Sequence, residues 1–226
     1  MCGDVEGESP HRLSAVVDIV VTGLSANSVP YLEALQQQRA LHADVVAGRA
    51  PDTVILLEHP SVYTAGKRTA PDERPTDGTP VVDVDRGGKI TWHGPGQLVG
   101  YPILRLPDPI DVVGYVRRLE GILIDVLAQL GVDGERVEGR SGVWIRGVQR
   151  DEKIAAIGIR VAEGVTMHGF ALNCSNGFEA YDAIVACGIK DAGITSISRV
   201  LGRTVTPQDV APLIRARFIE ELETVA

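Results

Sequence analysis

Cys187 and Lys153 are the two side chains of this 226-residue chain whose types and settings suggest covalent chemistry. Cys187 sits in Ala186-Cys187-Gly188-Ile189, after the apolar run Ala183-Ile184-Val185. A glycine after a thiol leaves room for an acyl group and for a backbone N–H aimed at an oxyanion. An ordinary thiol is mostly protonated at neutral pH, so a nucleophilic cysteine needs a cation or base beside it. Lys153 opens the apolar strand Ile154-Ala155-Ala156-Ile157-Gly158-Ile159, where a lysine with small neighbours could point into a cleft. The same residues also fit a buried cysteine and a solvated, edge-protecting lysine, and their types alone leave both readings open. Cys2 lies near the N-terminus and is set aside. Cys174 falls in the alternation His168, Phe170, Leu172, Cys174 and reads as a small core residue.

The segment from Arg86 to Ile103 holds five glycines, two prolines, Trp92 and His93. Glycine lets a backbone approach a ligand closely, and proline stiffens the loop that holds it. A rigid, glycine-lined wall carrying one histidine reads as a substrate pocket. Tight hairpins would account for the glycines, but not for their clustering around Trp92 and His93.

Hydrophobic residues make up 44% of the chain and charged residues 23%, which is the composition of a globular protein able to bury a core. The expected organisation is a flexible N-terminus over 1–14 and a single domain over 15–226. Formal net charge is −8 with no Lys/Arg block, so nucleic acid is not the expected partner. Three cysteines without Cys-x-x-Cys or His-Glu-x-x-His spacing give neither a disulfide framework nor a zinc site, and no metal is expected. The phosphate loop and the Gly-x-Ser-x-Gly elbow are absent, and Gly94 to Gly100 is one residue too long for a dinucleotide fingerprint. Met1 to Pro10 lacks the basic and apolar regions of a secretory signal, and no apolar run is long enough to span a bilayer. The expectation is a cytoplasmic protein with no membrane partner.

These residues must be positioned by mixed elements. Strands are expected over 15–21, 53–58, 81–85, 89–92, 97–103, 142–146, 153–162 and 164–174, the last two joined by a tight turn at Glu163-Gly164. Ser28-Val29-Pro30 reads as a helix start with serine as cap, the helix ending at Gly48. A second helix spans 110–130, with Val112, Val116, Leu119, Leu123, Val126/Leu127 and Leu130 at three- and four-residue steps before Gly131. A third begins at Thr206-Pro207, with Asp209 in its first turn. Consecutive hairpins with few helices predict an α+β fold whose sheets are mixed or antiparallel, with flanking helices.

Several motifs in order carry a resemblance. They are Glu58-His59-Pro60 through Tyr63-Thr64-Ala65-Gly66-Lys67, then Arg86-Gly87-Gly88 through Thr91-Trp92-His93-Gly94-Pro95-Gly96-Gln97. Lys153 through Gly158, Thr166 through Asn173, Cys187-Gly188-Ile189 and Ile194-Thr195-Ser196 follow. Together they cover most of 55–200, and the chain resembles the lipoate-biosynthesis octanoyltransferases. It departs from that family's usual pattern at Ala186, where proline is common, and at Tyr181, where phenylalanine is expected.

The resemblance implies a catalytic domain folded like biotin and lipoate protein ligases. It implies that Cys187 is the acyl-thioester nucleophile and that Lys153 lowers its pKa. It puts Arg86, Gly87, Gly88, Lys89, Ile90, Thr91, Trp92 and His93 around the acyl chain, with Ala156, Ile157, Gly158, Gly169, Phe170 and Ala171. The implied donor is octanoyl-acyl carrier protein. The implied acceptors are lipoyl domains of 2-oxoacid dehydrogenase E2 subunits and the glycine cleavage H protein. The transfer runs through an enzyme thioester to a lysine amide, with no cofactor. Three other readings stand beside it: an ATP-dependent ligase of the same fold, which would need an adenylate site and has no use for Cys187, a cysteine hydrolase, and a non-catalytic module that sequesters acyl carrier protein. Because acyl carrier proteins are acidic like this chain, docking calls for a local basic rim, for which Lys67, Arg68, Arg86, Lys89, Arg146 and Arg150 are the candidates.

Overall fold

The computed structural model describes residues 17–76, 78–184 and 192–223. Its main sheet has eight strands, and its long pair is β9 (Glu152–Ala162) with β10 (Val165–Asn173). Both residues of the joining turn, Glu163 and Gly164, have positive φ, at 52° and 75°, which matches the twist of an antiparallel hairpin. The turn fixes the register, so that Gly158 faces Gly169, Ile157 faces Phe170 and Ala156 faces Ala171. Outward from β10 lie β6 (Gln97–Ile103), β2 (Thr53–Leu57) and β1 (Asp18–Val21). On the other flank β9 pairs with β8 (Arg140–Ile145), which pairs with β7 (Glu135–Val137); the short β11 (Gly193–Ile194) also pairs with β9. β3 (Val62–Ala65), β4 (Val81–Asp83) and β5 (Thr91–His93) make a separate three-stranded sheet. Of the pairings, β1–β2, β3–β4 and β9–β11 are parallel and the rest antiparallel. The expected α+β architecture with mixed sheets is the one observed.

Both faces of the main sheet are covered. Helices α2 (Val112–Gln129) and α4 (Pro207–Glu223) pack on one face. There Val54, Leu56, Leu98, Phe170 and Leu172 meet Leu119, Leu123, Leu127, Ile214 and Phe218. On the opposite face Ile55, Leu57, Val99, Tyr101 and Ala171 pack with Ala34 of α1 (Tyr31–Val46). This is why β2 is buried at every position: alternate side chains serve different cores. In α1 the buried residues Tyr31, Ala34, Leu35, Gln38, His42 and Val45 recur at three- and four-residue steps. Pro30, not Ser28, occupies its N-cap position, and no side-chain bond caps it. α2 is capped by Asp111, whose carboxylate accepts from Gly114 N at 2.8 Å. The short helix α3 (Ile197–Leu201), along with β3, β7 and β11, was not expected from the sequence.

One irregularity decides where Lys153 points. β8 and β9 shift register between Val143, opposite Ala155, and Trp144, opposite Lys153, so Ile154 is an extra residue in β9. Ile154 and Ala155 are both fully buried in the helix-side core. Strict alternation would send Lys153 to the same side as Ala155; the bulge turns it instead to the side of Ala156 and Gly158. Gly142 accommodates the bulge with φ +102°, and a Cβ there would stand 2.3 Å from the Ala155 carbonyl oxygen. The fully buried Glu120 of α2 braces it, accepting from Gly142 N at 3.0 Å while its other oxygen meets Arg117 (2.7 Å) and Arg136 (3.2 Å).

Replacing Glu120 with alanine should therefore cost about 2 kcal/mol or more, because a buried N–H and two guanidinium groups lose their acceptor. Glu120→Gln, which keeps a carbonyl for Gly142, should cost less. Leu32→Ala, at an exposed position, should change stability by no more than about 0.5 kcal/mol. Urea denaturation of the three variants is the check; a Glu120→Ala midpoint equal to that of Leu32→Ala would contradict the bracing role.

Candidate active site

Two cavities meet at Lys153. The smaller, about 260 Å³, is walled by Ala156, Ile157 and Gly158 of β9, Gly169, Phe170 and Ala171 of β10, and Arg86, Gly88, Lys89, Thr91 and His93. The larger, about 500 Å³, is lined by Gln97, Trp144, Asn173, Phe178, Tyr181 and the polar group Arg150, Glu152, Asp182 and Arg199, among others. Thr91, Lys153, Ala156 and Ala171 belong to both. Three of the residues expected around the acyl chain, Gly87, Ile90 and Trp92, line neither cavity. Ile90 and Trp92 are buried behind the wall with Tyr63, and Trp92 Nε1 donates to Ser61 Oγ at 2.9 Å. Gly87 N donates to the Ile159 carbonyl at 2.9 Å and so lands the loop on β9. Gly158 permits that approach, since a Cβ there would lie 3.1 Å from the Gly87 carbonyl oxygen.

Lys153 is buried, with its Nζ 4.6 Å from the centroid of the Trp144 ring. Among the described residues no carboxylate comes within 4.0 Å of it. Cys187, the expected nucleophile, lies outside the described residues, as does Cys2. Ile184 and Ala192, which bracket the segment 185–191, both line the larger cavity. Cys174 is fully buried in the helix-side core, and burial pushes its thiol well above the ordinary range.

A hydrogen-bonded wall separates the cavities. Gln97 Nε2 donates to Asn173 Oδ1 (2.9 Å) and to the Tyr181 hydroxyl (3.0 Å), so its Oε1 accepts from His93 Nδ1 (2.8 Å). Asn173 Nδ2 donates to the Thr195 carbonyl, and Thr195 N donates to the Lys153 carbonyl, both at 3.0 Å. Glu58 ties two turns together, accepting from Ser25 N at 2.7 Å and Gly96 N at 2.8 Å. His59 Nδ1 donates to the Val29 carbonyl at 2.6 Å, leaving Nε2 to accept from the Tyr101 hydroxyl at 2.7 Å. The rings of Tyr31, His59 and His93 lie 5.2 to 6.1 Å apart. Burial lowers the pKa of His59 to about 4 and that of His93 to about 3, and raises that of Tyr31 to about 12. These three rings are therefore polar but uncharged at neutral pH.

His168 departs from its expected alternation with Phe170, Leu172 and Cys174. Its φ of 59° turns the ring to the smaller cavity, where Nε2 donates to Asp85 Oδ1 at 2.8 Å. Arg160 also pairs with Asp85. The cations expected to form a basic rim are partly engaged. Arg146 pairs with Glu135 and Asp151, and Lys89 pairs with Glu73. Arg86 is buried and donates to the carbonyls of Thr64, Gly87 and Lys89. Arg199, which no sequence motif singled out, stands on the larger cavity instead.

Residues 30–219 match the family described as the lipoyl protein ligase A/B catalytic domain, and the chain belongs to that family. A protein of Clavibacter sepedonicus named octanoyltransferase is 75% identical over 212 residues, which is 92% of this chain and 91% of that one. Among solved structures, a bipartite lipoate protein ligase from Thermoplasma acidophilum superposes with a TM-score of 0.67 at 15% identity, covering 92% of this chain and 83% of that one. A biotin protein ligase from Aquifex aeolicus, in complex with biotin and ATP, does so with a TM-score of 0.53 at 13% identity, over 92% and 69%. At such identities the likeness is one of fold, and it is the expected biotin and lipoate protein ligase fold.

The depressed imidazole pKa values have a signed consequence. The unfolded chain binds protons on these histidines below about pH 6.5, whereas the folded chain does not until about pH 4 and 3. Stability is thus fully present above pH 6.5 and falls on acidification, by about 2 kcal/mol per ring at pH 5. The imidazole Hε1 resonances of His59 and His93 should stay at their neutral positions down to pH 5; titration of either near pH 6.5 would contradict the buried, neutral assignment.

Proposed function

We propose that the protein is an octanoyltransferase that carries an octanoyl group from octanoyl-acyl carrier protein to the lysine ε-amine of lipoyl domains. In this reading the Cys187 thiolate attacks the donor thioester carbonyl, and the carrier thiol leaves as the Cys187 thioester forms. The neutral acceptor amine then attacks that thioester; the carbon–sulfur bond breaks as the amide forms, and the amine's proton passes to the departing Cys187 sulfur. Exchange of a thioester for an amide runs downhill without nucleotide. The acceptors are lipoyl domains of 2-oxoacid dehydrogenase E2 subunits and the glycine cleavage H protein, and the reaction belongs to the cytoplasm. No described helix is long and apolar enough to cross a membrane.

The observation that carries the catalytic assignment is Lys153. It is buried where the two cavities meet, with an aromatic ring but no described carboxylate beside it. An anion completes such a setting. Cys187 is three residues along the chain from Ile184 and five from Ala192, both on the larger cavity. The lysine cation would favour the thiolate over the thiol and so lower the cysteine's pKa. The smaller cavity, with Ala156, Gly158, Gly169 and Ala171 on its walls, would take the acyl chain. An ATP-dependent ligase of the same fold has the architecture in common but no use for Cys187.

Intact-mass analysis after mixing with octanoyl-acyl carrier protein should show one octanoyl adduct, and adding a lipoyl domain without ATP should discharge it. Cys187→Ala should abolish the adduct, whereas Cys174→Ala should keep it and lose stability. Lys153→Met should raise the pH midpoint for iodoacetamide alkylation of Cys187 and slow transfer at least tenfold. Octanoyl mapped to Cys174, or product formed only with ATP, would overturn the assignment.

A further inference from the structure

Arg150 and Arg199 both line the larger cavity and are exposed. Each is free of any carboxylate within 4.0 Å among the described residues. The chain carries 30 Asp and Glu against 22 Lys and Arg, and several of its arginines pair with one. Arg117, Arg118, Arg136, Arg146, Arg160 and Arg217 each touch at least one. Glu152 and Asp182 line the same cavity, yet neither reaches the two guanidinium groups. The Arg199 guanidinium is held over the Phe178 ring at 5.5 Å, and the backbone N–H of Arg199 donates to the Ser196 hydroxyl that caps α3. Arg150 lies on the bend that joins β8 to β9, and Gly193 gives its side chain room: a Cβ there would come 3.1 Å from Arg150 Nε. Two guanidinium groups with no carboxylate partner among the described residues thus line a cavity that opens onto Lys153, and the planar donor fork of an arginine suits an anionic oxygen cluster better than an ammonium does.

We infer that Arg150 and Arg199 bind the phosphate of the phosphopantetheine arm through which a carrier presents its acyl thioester. The inference rests on the octanoyltransferase reading and adds to it. With the acyl chain in the smaller cavity and the thioester at Lys153, the rest of the arm must leave through the larger cavity, and the phosphate at its outer end meets the two arginines. The phosphate gives the site a charge with which to select a carrier-linked thioester, independent of the carrier's protein surface. It also accounts for how an acidic chain draws an acidic donor: the attraction is local, at the arm, and not between net charges.

The test compares two small donors, octanoyl-phosphopantetheine and octanoyl-pantetheine, which differ only in the phosphate. For the wild-type protein at low salt, kcat/KM for formation of the Cys187 adduct should be about tenfold or more higher with the phosphorylated donor. Arg150→Met and Arg199→Met together should cut that preference to less than about twofold, lowering the rate with octanoyl-phosphopantetheine and leaving octanoyl-pantetheine unchanged. Equal wild-type rates with the two donors, or a double variant that slows both alike, would overturn the phosphate site while leaving the acyltransferase reading intact. If neither donor, nor octanoyl-acyl carrier protein, acylates the wild-type protein, the octanoyltransferase reading falls and the phosphate site falls with it.

Discussion

The extra residue that Ile154 inserts into β9 is the constraint on which the site depends. A strand alternates its side chains strictly, so a lysine two positions before the buried Ala155 belongs by default in the helix-side core. The bulge sends Ile154 and Ala155 inward together and releases Lys153 to the side where the cavities meet. It holds because Gly142 can take φ +102° opposite it and because Glu120 supplies a buried acceptor for Gly142 N. A helix carboxylate, a glycine and an inserted isoleucine thus fix the direction of one amine. Beyond the bulge, regular pairing with β10 sets Ala156, Gly158, Gly169 and Ala171 in one wall.

The rest of the architecture divides the space around that amine. Gln97, His93, Asn173 and Tyr181 form a wall in which the Gln97 and Asn173 amide groups and the His93 Nδ1 each meet an acceptor, and such a network has one arrangement of lowest energy. His93, held neutral by burial, gives the wall of the smaller cavity polar atoms without adding to the charge that Arg86, Lys89 and Lys153 bring there. The Glu58-His59-Pro60 motif belongs to this scaffold. Its carboxylate and imidazole bond to the backbone of Ser25, Gly96 and Val29 and to the Tyr101 hydroxyl, and neither residue lines either of the two cavities.

Much of this was legible in the sequence wherever local chemistry and tertiary packing agree. The β9–β10 hairpin follows from period-two alternation and the Glu163-Gly164 turn, and α2 from its apolar spacing and terminal glycine. The glycine-rich segment does become a cavity wall. What was not legible depends on partners remote in sequence. The bulge needs β8 and α2; the reversal of His168 needs a left-handed backbone for a non-glycine residue and Asp85 to receive the ring. Ile90 and Trp92 share a motif with Thr91 and His93 yet turn into the core behind, since successive side chains of a strand face opposite ways. Pro30 in place of Ser28 at the start of α1, and Arg199 on a five-residue helix, carried no distinguishing local pattern.

The central claim is a division of labour: the acyl chain lies in the smaller cavity, the thioester at Lys153, and the carrier reaches in through the larger one. The most direct test is a crystal structure of the octanoylated protein. The account predicts acyl density from Cys187 running between Ala156, Gly158 and Ala171 towards His93, with the carbonyl near Lys153 and the larger cavity open. Acyl density filling the larger cavity beside Phe178 and Arg199, with the smaller one empty, would contradict it.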